Sequence, residues 1–81
     1  MVLANLKPGD RALITEIGDE SYANQLLEMG CIPGAVVEVL AYAPLGDPIM
    51  IRVSGYKLSI RKKEARTIGV QPVSAQPKSL D

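Results

Sequence analysis

The chain contains no histidine, phenylalanine or tryptophan, and a single cysteine among its 81 residues. Without histidine it lacks the side chain that most often serves as general base and as metal ligand near neutral pH. With only Tyr22, Tyr42 and Tyr56 as aromatics, it lacks the stacking platforms of a single-strand nucleic-acid binder. It equally lacks the aromatic-lined groove that grips a polyproline helix. The lone Cys31 cannot close an internal disulfide, which fits a reducing compartment. No apolar run approaches the roughly 20 residues of a membrane-spanning helix. Residues 1–6 lack the basic start and long apolar stretch of a signal peptide. A soluble, cytoplasmic protein is therefore expected.

These absences also speak against catalysis. Ser21 and Ser54 have no partner base, and Cys31 follows a predicted helix end, whereas thiolates are activated at helix N-termini or beside cations. A structural, half-buried Cys31 is expected. Glu28 and Cys31 are the nearest approach to a metal-ligand pair, but Gly30 is predicted to end the helix between them. First-row transition metals favour imidazole or mixed nitrogen and oxygen donors, and this chain offers only carboxylates and one thiol. The sequence thus predicts no catalytic residue, no cofactor and no metal site.

What is present is an aliphatic chain of Val, Ile, Leu and Ala, long enough for one small core and biased towards strands. Its organising stretch is Ala43 to Ala65. Ile49, Ile51 and Val53 alternate with Met50, Arg52 and Ser54, and beyond Gly55 the residues Leu58 and Ile60 alternate with Lys57, Ser59 and Arg61. A period of two on both sides of a glycine predicts an antiparallel hairpin. Pro48 has no N–H for a ladder, so the first of its strands should begin at or after that residue.

The rest of the chain follows in order. Residues 2–6 are compatible with one helical turn or an edge strand. Lys7-Pro8-Gly9-Asp10 is a turn, and Arg11 to Ile17 is a strand expected to bury Leu13 and Ile17 ahead of Ile14. Asp19 or Ser21 can cap a short helix, in which Ala23, Leu26 and Leu27 share a face and Gly30 provides the C-cap. Ala35 to Tyr42 is a second strand. Lys62 to Ala65 fits a single helical turn, and Arg66 to Val70 a last strand. Residues 1–73 are expected to form the domain, with a loose tail over 74–81. Five short strands with one inserted helix predict a mainly β fold, a small, partly open SH3-like barrel.

Charge is balanced overall but not along the chain. Residues 1–49 hold Lys7 and Arg11 against seven carboxylates, two minus seven or −5. Residues 50–66 hold Arg52, Lys57, Arg61, Lys62, Lys63 and Arg66 against Glu64, six minus one or +5. Arg52, Lys57 and Arg61 share the outward register of the hairpin. They read either as a solvated face that protects an edge strand or as a docking face for an acidic partner.

Two separated motifs add a resemblance. Leu26-Leu27-Glu28-Met29-Gly30 with Pro33-Gly34 is the first. The second comprises Pro44-Leu45-Gly46-Asp47-Pro48, Gly55-Tyr56, Leu58 to Lys62 and Glu64-Ala65. Together they resemble the FeoA family of bacterial ferrous iron transport, over roughly Leu6 to Val70. The resemblance independently implies an SH3-like fold and a non-enzymatic accessory role beside FeoB, the membrane permease with a cytoplasmic GTPase domain. It implies docking on that partner, with the membrane reached only through it, and is compatible with a weak homo-oligomer. Leu26, Leu27 and Met29 on the helix, with Arg52, Lys57 and Arg61 on the hairpin, are the contact residues expected. Family members often carry Arg or Lys before the leucine pair, where this chain has Asn24 and Gln25. The alternative is a nucleic-acid-binding or transcription-regulator module, since Lys7 to Arg11 at the head of such a barrel is similar to ribosomal and repressor domains. Zero net charge and few aromatics make nucleic acid an unexpected partner.

Overall fold

In the computed structural model, which describes residues 1–18 and 20–73 and only the backbone of 20–22, the elements run β1 (Arg11–Ile17), α1 (Glu20–Glu28), β2 (Val36–Tyr42), β3 (Ile49–Val53), β4 (Tyr56–Ile60), α2 (Lys62–Ala65) and β5 (Ile68–Pro72). One antiparallel sheet has the order β4-β3-β2-β1-β5, a meander whose last strand returns to pair with the first. Its edges β4 and β5 do not pair with each other. This is the mainly β, partly open SH3-like arrangement that the pattern of short strands predicts.

The hairpin forms as its alternation requires. Ile49, Ile51 and Val53 are buried while Met50 and Arg52 are exposed. Val53 pairs with Tyr56, leaving a two-residue turn in which Ser54 and Gly55 both have positive φ, 54° and 82°. Two left-handed residues match the twist of the flanking strands, and glycine takes that conformation without steric cost.

Three expectations are corrected and one left open is resolved. In β1 the buried residues are Ala12 and Ile14, while Leu13 and Ile17 are only half-buried. The Leu13 and Ile17 face is the more apolar only by leucine against Ala12, too small a margin to decide burial; the register does, setting Ala12 beside Val37 and Ile14 beside Val70. A register shift between Ile14 and Glu16 then turns Ile17 back against the core. Residues 2–6 combine both options, with a 3₁₀ turn at Leu3–Asn5 and a bridge from Val2 to Gly69. This short segment contributes Leu3 and Leu6 to the core. The last strand starts at Ile68, two residues later than expected, because Arg66 and Thr67 complete the α2 turn through Lys62 and Glu64 carbonyls, each at 3.0 Å. The second strand likewise begins at Val36, one residue late. The helix caps Asp19 and Ser21 and the tail over 74–81 lie outside what the structure describes.

The core is aliphatic throughout and holds no buried polar side chain among the described residues. Tyr42 reaches across with its hydroxyl, donating to the backbone carbonyl of Leu6, and so ties the N-terminal segment to β2. At the open end of the hairpin, the Lys62 N–H donates to Asp47 Oδ1 at 3.0 Å, and the Arg61 N–H to Glu64 Oε1 at 2.9 Å. Two free donors at the start of α2 are thereby satisfied. The Gly-Asp-Pro and Arg-Lys-Lys-Glu segments, 15 residues apart at these contacts, thus form one structural device. Asp47→Ala is expected to lower stability by about 1 kcal/mol, measured by urea unfolding. An unchanged midpoint would rule out the cap.

Candidate docking surface

Helix α1 buries Leu26 and ends on a glycine. The Gly30 N–H donates to the Leu27 carbonyl at 3.1 Å and the Cys31 N–H to the Leu26 carbonyl at 2.9 Å, with Gly30 at φ 90°. This is the paired-bond termination that a left-handed residue allows. Cys31 and Leu26, the residues flanking the motif, are both in the core. The helix end is then fastened to the hairpin tip, where the Ser54 hydroxyl donates to the Gly30 carbonyl at 3.3 Å. A Cβ on residue 30 would lie 3.2 Å from Ser54 Cβ, so glycine also permits the close approach.

Between helix end and hairpin tip lies a groove of about 390 Å³, lined by Leu27, Glu28, Met29, Gly30, Tyr56 and Leu58. Met29 and Leu58 are half-buried and pack on the core, forming the floor. Leu27 and Tyr56 stand at the rim, 42% and 69% exposed. An open apolar channel with one phenol and one carboxylate suits an apolar side chain or helix ridge of a partner, and the Tyr56 hydroxyl supplies a polar handle.

The six contact residues expected from sequence divide into three groups. Leu26 is 1% exposed and is removed from the surface set, because it packs α1 onto the core. Leu27 and Met29 line the groove. Arg52 and Lys57 face each other across β3 and β4 on the opposite side of the hairpin from Tyr56 and Leu58, and exposed Arg61 precedes α2. Successive pairing gives a row Lys57, Arg52, Glu38, Arg11 across four strands. Within it, Arg52 Nη1 meets Glu38 Oε1 at 3.3 Å, an exposed pair that contributes little to stability but tempers the positive face. Tyr56 and Leu58 were not expected at a contact surface. Their only sequence signal was a tyrosine placed directly after a turn glycine.

Cys31 is fully buried rather than half-buried, and burial raises its thiol pKa. Among the described residues no three His, Cys, Asp or Glu side chains group as metal ligands. The raised pKa has two consequences. The folded protein is expected to resist iodoacetamide at pH 8 and react only as it unfolds. Because the unfolded thiol ionises first, this contribution to stability is complete below the ordinary thiol value of 9.0 and is lost as the pH rises beyond it. Rapid labelling without unfolding would contradict the burial.

Five antiparallel strands in an unclosed sheet, with an open apolar groove where the helix meets the hairpin, make a small SH3-like domain. The FeoA domain model matches residues 1–72, and the chain belongs to the FeoA family. It is 35% identical over 80 residues to the Fe(2+) transport protein A/Fe(2+) transporter FeoB fusion protein of Porphyromonas gingivalis, covering 98% of this chain and 10% of that relative. The chain therefore spans about a tenth of the fusion's length. The solution structure of FeoA from Chlorobium tepidum superposes with a TM-score of 0.86 at 35% identity, covering 100% of this chain and 81% of that one. The crystal structure of Stenotrophomonas maltophilia FeoA complexed with zinc, described as a procaryotic SH3 domain protein, gives 0.77 at 26% identity, covering 88% and 89%. T. acidophilum IdeR, at 23% identity over 34% of its own chain and a TM-score of 0.78, shares the fold alone. Among the described residues no helix is long and apolar enough to cross a membrane.

Proposed function

We propose that this chain is a non-enzymatic accessory protein of ferrous iron transport, which docks on an FeoB-type GTPase permease at the cytoplasmic face and assembles or regulates it. The observation that carries docking is the groove of Leu27, Met29, Tyr56 and Leu58, an open apolar surface built by two elements. The fusion relative supports the choice of partner. Joining two modules in one chain gives each a high effective concentration at the other, an arrangement useful for partners that act side by side. The chemistry of the domain supports the non-enzymatic part: the chain has no histidine, and its one thiol is buried and held protonated.

Affinity capture tests this reading, with the protein as bait and detergent-solubilised membranes of the source organism as prey. Recovery of a large GTPase-bearing membrane protein is expected. Recovery of nucleic acid without it would favour the regulator module instead. Two variant baits locate the contact: one altered in the groove, and one carrying Arg52→Glu with Arg61→Glu on the basic face.

A further inference from the structure

Beyond that reading, and independently of the partner, we infer that the open end of the hairpin is a direct contact for an anionic phospholipid bilayer. Leu45 is 96% exposed. It protrudes from the β2–β3 loop at a turn closed by the Gly46 N–H on the Ala43 carbonyl at 2.7 Å. An aliphatic side chain so placed has no packing role in the fold. The loop is held in position by Asp47, whose carboxylate binds the Lys62 N–H. Leu45 is two residues from Asp47, so their Cα atoms are no more than about 7 Å apart.

The same end of the hairpin, where Ile49 pairs with Ile60, leads directly into Arg61, Lys62, Lys63 and Arg66. Against these stand Asp47 and Glu64, both engaged by backbone N–H groups. Among the described residues these four cations stand against those two carboxylates, four minus two or +2, and the Lys62–Asp47 bond holds the start of the segment after β4 beside the loop that carries Leu45. Among the described residues none of the four forms an ion pair, the one such pair being Arg52–Glu38.

The composition favours lipid over a protein partner. Protein interfaces are built around aromatic and Met anchors in a shaped core and are depleted in lysine, whereas this patch pairs two lysines with a single projecting leucine and has no aromatic residue or methionine; its two arginines suit either surface. Flexible cations around one apolar anchor suit a fluid anionic surface, which needs charge and a little insertion and no fixed shape. The docking groove lies at the other end of the hairpin, beside Ser54 and Tyr56. Five-residue strands separate the two by roughly 14 Å. The protein can therefore touch a membrane-embedded partner and the bilayer beside it together. Each contact raises the effective concentration of the other.

Vesicle co-sedimentation of the full chain tests this. One set of vesicles contains equal parts phosphatidylglycerol and phosphatidylcholine; the other is phosphatidylcholine alone. Measurements at about 0.01 M and about 0.15 M salt take the screening length from about 30 to about 8 Å. Binding is expected to the anionic vesicles only, and to weaken several-fold at the higher salt. Lys63→Ala with Arg66→Ala, both on exposed positions, is expected to lower partitioning about fivefold per charge removed. Leu45→Ser is expected to lower it while leaving the salt dependence unchanged. Absence of binding to anionic vesicles at low salt overturns the proposal. Binding indifferent to either variant overturns it equally, and thermal melts identify any variant that has lost its fold.

Discussion

Leu26→Ala is expected to destabilise the domain by about 2 to 5 kcal/mol, the range for emptying a packed leucine site. At roughly 0.05–0.15 kcal/mol per residue, a chain of 81 residues has about 4 to 12 kcal/mol in total, so this loss is a large share of it. Among the described side chains of α1, Leu26 is the one sealed in the core, and its carbonyl accepts the Cys31 N–H that ends the helix. Truncation therefore opens a cavity beneath the helix and loosens its C-cap together. Denaturant unfolding would show a large fall in midpoint, and Cys31 would become open to alkylation. A loss below about 1 kcal/mol would mean that α1 is not anchored through this residue.

The neighbouring leucine is expected to behave in the opposite way. Leu27→Gln combined with Tyr56→Thr should leave stability nearly unchanged, within about 0.5 kcal/mol per exposed site. The same pair should weaken capture of the FeoB-type partner by about 30-fold or more, the equivalent of losing one interface anchor of about 2 kcal/mol. Glutamine keeps helix propensity and adds no negative charge at the negative end of the helix. Threonine keeps a β-branched residue in the strand. The Arg52→Glu, Arg61→Glu variant should instead act mainly on the association rate and its salt dependence, as rim charges do. Full recovery of the partner by the groove variant would move the contact to the basic face.

Leucines one residue apart, with opposite expected phenotypes, mark the boundary of what a pattern can reveal. Ala23, Leu26 and Leu27 fall on one stripe of a helix, and nothing in the stripe distinguishes its centre from its edge. The hairpin made that distinction. Ser54 bonds the Gly30 carbonyl at the helix end, and in the helix so docked Leu26 points inward, at 1% exposure, and Leu27 lies at 42%. The same limit explains β1, where two faces of similar apolar content left Ala12 and Ile14 undervalued. It also explains residues 2–6, too short for any period to register, although Leu3 and Leu6 close the core.

The sequence by itself determined the strand content, the hairpin with its first strand starting no earlier than Pro48, the glycine that ends α1, and the clustering of positive charge after residue 50. Each of these is local: alternation, a missing proline N–H, a residue free to adopt positive φ, or plain composition. Only the tertiary structure decided which apolar residues remain outside. The groove joins residues 27–30 to residues 56 and 58, and the Leu45 loop meets α2 through a hydrogen bond spanning 15 residues. Surfaces of this kind belong to no single element, because burial depends on how two elements dock, and docking is settled by contacts that no periodicity along one of them records.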